Sequence, residues 1–208
     1  MAPLVKKMIT LAALTFLWAQ QTTAQNAYSI GFHAGYNNAR AHHLNGGSTS
    51  ARQGRVAGVS LNVFPTNAMI GYRAEIHFIQ KGASIKSDTT RASFYFNYIE
   101  IPLLFRTAAS LEGIKPYVFA GPKIGFLIAN RAKIETNGVS KKIELKDDTE
   151  PIDFSIDGGG GLEYTVGRMT TFAAIRYSLG LLDIDKSRNG EWYARDFQIV
   201  SGINFSLK

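Results

Sequence analysis

Apolar and polar residues alternate with period two over segments of 10–15 residues, joined by connections long at one end and short at the other. Together these features predict an all-β chain, an eight-stranded antiparallel up-and-down transmembrane β-barrel with a polar, packed lumen. The 208 residues suit one domain, and 45% apolar residues exclude both a disordered tail and a helical membrane protein. Absence of cysteine excludes a disulfide framework, a thiolate metal site and a cysteine nucleophile.

The elements follow in order. Residues 1–24 read as a secretory signal peptide: Lys6 and Lys7 form the charged start, 8–19 are apolar, and Thr22, Thr23 and Ala24 are small enough for cleavage. The apolar run is too short to cross a bilayer as a helix, which needs about 20 residues. Residues 25–208 then form the barrel domain. Its first strand, 28–37, and second, 55–64, carry Gly31, Gly35 and Gly58 on one face. The third, 69–82, sets Ile70, Tyr72, Ala74, Ile76 and Phe78 against Arg73, Glu75, His77 and Lys81. The fourth, 94–107, sets Ile99, Ile101, Leu103 and Phe105 against Glu100 and Arg106. In the fifth, 115–128, Gly121 and Gly125 share the polar face. The sixth, 152–166, opposes Phe154, Ile156, Leu162 and Tyr164 to Asp153, Ser155, Asp157 and Glu163. The seventh, 169–182, isolates Arg176 between Ile175 and Tyr177. The eighth, 194–207, alternates Phe197, Ile199, Ile203 and Phe205 with Asp196, Gln198 and Asn204.

Ordinary strands run to about 5–6 residues, whereas these match the 9–11 that a tilted strand needs to cross a bilayer. The connections 38–54, 83–93, 129–151 and 183–193 are long, and 65–68, 108–114 and 167–168 are short. That sorting places long loops outside the cell, short turns in the periplasm, and both termini beside the turns.

Side-chain volume fixes which face points inward. An eight-stranded barrel has room only for side-chain filling, and the polar face mixes charges with glycine. The bulky apolar face therefore looks outward into lipid. A lipocalin-like soluble barrel is the inverted alternative. Inside, Arg73, Lys81, Arg106, Lys115, Lys123 and Arg176 balance Glu75, Glu100, Asp153, Asp157, Glu163 and Asp196. Buried charges must pair, so the expected lumen is a salt-bridged plug, with His77 hydrogen-bonded within it.

The runs YIEIPLLF (98–105), KPYVFAGPKIGF (115–126), DGGGGLEY (157–164), IRYSLGL (175–181) and FQIVSGINF (197–205) resemble the PorT-like family of outer-membrane β-barrel proteins. The resemblance spans the mature chain and implies an eight-stranded transmembrane barrel in the outer membrane of a Gram-negative bacterium. The member that names the family is associated with type IX protein secretion, and no catalytic set comes with the family. One departure is the ending Phe205-Ser206-Leu207-Lys208, where many such barrels end in an aromatic residue.

Catalytic and metal patterns fail on spacing. His33 lacks a serine two residues on, as a lipid A deacylase pair would need, and His42, His43, Ser48, Ser50 and Asp88 have no catalytic spacing. His42-His43 lacks a third metal ligand. Asp183, Asp185 and Ser187 begin like a calcium loop, but Arg188 and Ala194 stand where glycine and glutamate are needed. The Gly158–Gly161 run has no following Lys-Ser/Thr and reads as structural. No cofactor, metal or nucleic acid is expected.

The expected partners are outer-membrane lipid, lipopolysaccharide and a protein docking at the extracellular loops. Arg40, Arg52 and Arg55 flank the first long loop with no acid among them and suit lipopolysaccharide phosphates. The function expected is a non-enzymatic scaffold or interaction partner, linked to secretion or cell-surface organisation, with 129–151 as the docking element. A small channel for polar solutes is the alternative, and a lipid A-modifying enzyme a weaker one.

Overall fold

The computed structural model describes residues 26–43, 50–65, 70–86, 90–109, 113–136, 139–144, 151–181 and 192–207. The expected signal peptide and the 182–191 segment lie outside them. Every described element is a strand: β1 (Asn26–His43), β2 (Ser50–Pro65), β3 (Gly71–Lys86), β4 (Thr90–Ala108), β5 (Ile114–Thr136), β6 (Val139–Glu144), β7 (Ile152–Val166), β8 (Met169–Gly180) and β9 (Trp192–Ser206).

Eight of these close on themselves. Antiparallel pairing runs β4-β3-β2-β1-β9-β8-β7-β5, and β5 returns to β4. Closure satisfies every barrel strand on both edges, which is the condition for crossing lipid. β6 is additional. Among the described residues it pairs with β5 only, from Arg131↔Glu144 to Thr136↔Val139, and forms a hairpin beyond the barrel wall.

Burial alternates as the sequence requires, polar inward and apolar outward. In β8 the pattern eBeBeBeB runs from Thr171 to Ser178, burying Phe172, Ala174, Arg176 and Ser178. Outward, Phe32, Ile76, Val118, Ile175 and Ile199 are each more than half exposed. That inside-out distribution excludes the lipocalin-like alternative, which would bury the apolar face.

The strands run further than the alternation indicated. β1 continues to His43 and β2 starts at Ser50, so most of 38–54 is strand, and 83–93 is largely strand too. Residues 129–151, expected as a loop, hold the end of β5 and all of β6. Side-chain polarity changes where strands leave lipid, but backbone pairing does not stop there. Ladder partners such as Arg40↔Arg195 and His43↔Trp192 continue regardless. At about 3.3 Å per residue, the 23 residues of β5 far exceed a bilayer's thickness.

The opposite end is tight. Gly167 adopts φ +60° in the two-residue turn between β7 and β8, closed by the Val166↔Met169 pair. A positive φ suits glycine there because it lacks a Cβ. Thr165 and Thr170 join their Oγ1 atoms at 2.9 Å beside it.

Candidate functional site

The lumen is the one place where sequence, burial and charge converge. Rows of cross-strand neighbours build it. One row reads Gly202–His33–Gly58–His77–Glu100–Gly125–Asp153 across six strand pairings. Glycine separates the large polar groups, so long side chains reach across where a Cβ would block them. Gly58 is the clearest case. A Cβ there would overlap the Cβ of His77, and its absence lets the His33 and His77 rings meet edge to face at 5.6 Å.

Glu75 sits near the centre, fully buried. Arg176 forks onto it, with Nη1 2.9 Å from Oε2 and Nη2 donating to Oε1 at 2.9 Å. Arg73 Nε lies 2.6 Å from Oε1. Arg176 Nη1 also lies 3.6 Å from Asp157, whose Oδ1 is 3.0 Å from Lys123 Nζ. Lys123 continues to Glu100 at 3.1 Å and donates to Ser178 Oγ at 2.8 Å. Lys81 is the second hub, within 2.7 Å of Glu100, 3.0 Å of Asp153 and 2.7 Å of Asp196. His77 Nε2 meets Glu100 Oε2 at 3.0 Å.

These contacts join nine charged side chains into one network. Its cations are Arg73, Lys81, Lys123 and Arg176; its carboxylates are Glu75, Glu100, Asp153, Asp157 and Asp196. Four against five leaves one negative charge in excess when every carboxylate is ionised. Arg106 and Glu163 form a separate pair at 2.6 Å near the short-turn end. The sixth cation that the sequence count supplied, Lys115, is only half-buried and stands opposite Glu163 in the ladder, outside the network.

The lumen is also less polar than its charges suggested. Tyr98, Tyr117, Phe119 and Phe172 point inward among Val56, Ile79, Leu104 and Val200. Guanidinium groups lie over these rings: Arg106 is 4.1 Å from the Tyr117 centroid, and Arg73 is 4.6 Å from that of Phe172. Such stacking recovers part of what desolvation costs the cations. Strand parity contained this signal, since Tyr117 and Phe119 share the phase of Gly121 and Lys123. A void beside Arg73, Arg106 and Phe172 has a volume of about 10 Å³, room for about one water.

Of the three arginines expected at a lipopolysaccharide contact, the side chains of Arg52 and Arg55 are described. Arg55 is exposed and pairs in the ladder with Tyr36. Arg52 is committed elsewhere: its guanidinium stacks 3.9 Å over Tyr95, and Nη1 donates to the Lys81 carbonyl at 2.6 Å. The side chain of Arg40 lies outside the described residues. So do those of His42 and His43, as well as Ser48, Asp88 and the failed calcium loop from Asp183 to Glu191. His33, weighed in the sequence only as half of a deacylase pair, packs against His77, with Glu75 Oε2 3.8 Å from His33 and 3.3 Å from His77.

Comparison with known proteins agrees with this architecture. Among curated proteins, none matches the chain. Among solved structures, Neisserial surface protein A is similar over 86% of this chain and 97% of that one, with 14% identity and a TM-score of 0.51. The outer membrane protein OprG from Pseudomonas aeruginosa is similar over 88% of this chain and 96% of that one, with 10% identity and a TM-score of 0.45. At these identities the first likeness concerns the fold alone. The model of the outer membrane protein β-barrel domain matches residues 18–186, which is most of the chain. The match stops before β9, the strand that closes the circle between β1 and β8. The match nonetheless spans seven of the eight barrel strands, and the chain belongs to the outer membrane protein β-barrel domain family.

Proposed function

We propose that this outer-membrane barrel is a non-enzymatic scaffold that docks a protein partner at its long-loop end. The observation that carries the reading is the lumen. One connected network of charged side chains crosses it, and a void among them beside Arg73 and Arg176 has room for about one water, which supports a plug over a solute path. Function is then left to the surface, and one surface element is incomplete. Among the described residues β6 is bonded along one edge, to β5, and its other backbone edge is the one offered to a further strand. A link to protein secretion or cell-surface organisation is the setting in which such docking would serve. Lipid and lipopolysaccharide are proposed as the surroundings of the outward face, with Arg55 and Arg195 exposed to them.

A photocrosslinker placed at position 141 tests the docking reading in intact cells. A discrete protein adduct is expected, and it should disappear when 137–144 is replaced by a short Gly-Ser turn that leaves the barrel folded. An adduct unchanged by that replacement would sink the reading.

A further inference from the structure

We propose that His33, Glu75 and His77 form a buried binding site for one borderline transition-metal dication such as Zn²⁺. One ligand atom from each, on two separate strands, falls within 4.8 Å of the others, and all three residues are buried. The donor set is two imidazoles and a carboxylate, the combination that binds Zn²⁺ with a fourth position left for water. Glu75 Oε2 is 3.3 Å from His77 Nδ1 and 3.8 Å from His33 Nε2. Ligands at about 2.0–2.2 Å from a tetrahedral ion stand a little over 3 Å apart, which the His77–Glu75 pair already matches and which His33 must approach more closely.

Three independent features point to a ligand. His33 is buried and makes no hydrogen bond through either ring nitrogen; His77 Nδ1 has only Glu75 Oε2, at 3.3 Å, and that oxygen is already paired with Arg176 Nη1 at 2.9 Å. Leaving such groups unmet costs about 1–3 kcal/mol each. Supporting contacts are already built: His77 turns its other nitrogen to Glu100 Oε2 at 3.0 Å, the carboxylate–histidine arrangement that orients metal-bound imidazole. Arg73 holds Glu75 through Oε1, and Arg176 contacts both oxygens, including the Oε2 that would coordinate. Their positive charge opposes a cation locally, but with every carboxylate ionised the four cations of the network face five carboxylates. Finally, Gly58 opens the gap between the two rings.

Titration of untagged, chelator-treated, detergent-folded barrel with Co²⁺ and then Zn²⁺ tests this. The expected result is one Co²⁺ per chain with the strong visible bands of four-coordinate Co²⁺, displaced by Zn²⁺. His33→Ala should weaken binding at least tenfold, while a His42→Ala/His43→Ala variant should bind as the unaltered chain does. Undiminished binding in His33→Ala, or loss in the double variant, would overturn the assignment. If His33→Ala does not fold, the spectrum of the unaltered protein decides. Weak six-coordinate bands, or no stoichiometric uptake, would mean that a proton rather than a metal offsets the excess charge.

Discussion

Arg176 of β8 and Glu75 of β3 lie 101 residues apart in sequence and meet across the lumen through two contacts of 2.9 Å. Neither strand neighbours the other in the sheet. The pair therefore ties opposite walls together, and it does so where water is excluded. Truncating Arg176 to alanine leaves Glu75 with Arg73 as its one remaining arginine and Asp157 with Lys123, and removes the link between the two walls. Loss of one partner of a buried pair typically costs about 3–5 kcal/mol. Urea unfolding in lipid vesicles should show a loss of that size for Arg176→Ala. For Lys115→Ala, outside the network, it should be under about 1 kcal/mol. Equal effects would mean that the network is not what holds the walls.

The glycine run separates inside from outside within two residues. A Cβ on Gly159 would meet Phe119 Cζ at 2.6 Å and Arg176 Cα at 3.1 Å, whereas one on Gly158 meets nothing within 4 Å. Gly159→Ala should impair folding. Gly158→Ala should leave it unchanged or slightly improve it, since alanine also restricts the unfolded chain. The fraction of folded protein on unheated gels measures both, and the reverse order would contradict the assigned parity.

Charge on the lipid face provides a third check. Ile175 and Ile199 stand opposite each other on neighbouring strands, 55% and 56% exposed on the outer surface. Arginine at either position should cost about 2–4 kcal/mol near the bilayer midplane. The same substitution at Gln53, exposed near the far rim, should cost about 1 kcal/mol or less. Folding free energies in vesicles distinguish the two cases, and equal costs would place the membrane elsewhere.

Hairpin and barrel should be separable. β6 contributes no barrel pairing, so replacing 137–144 should leave heat-stability in SDS intact. Collapse of the fold on that replacement would show that β6 supports the wall.

Much of this architecture was legible in the alternation alone. A one-residue slip would exchange lipid and lumen faces, so Ile99, Glu100 and Ile101 could take only one orientation. Strand ends were not legible, because hydrogen bonding along β1 and β9 persists past the last apolar residue. Which charges meet was also hidden. Lys81 and Lys115 look alike in sequence, yet barrel stagger places one among three carboxylates and the other near the short-turn end. Inward Phe119 and Phe172 escaped because aromatic side chains suit either face. Their role follows from the guanidinium groups above them, which only the three-dimensional register brings near.

The central claim is a closed barrel whose apolar face meets lipid. Electrophoresis of the protein from an outer-membrane fraction, with and without boiling in SDS, tests it most directly. A closed barrel should resist SDS until heated, giving two distinct mobilities. A soluble periplasmic protein with identical mobility in both samples would contradict the account.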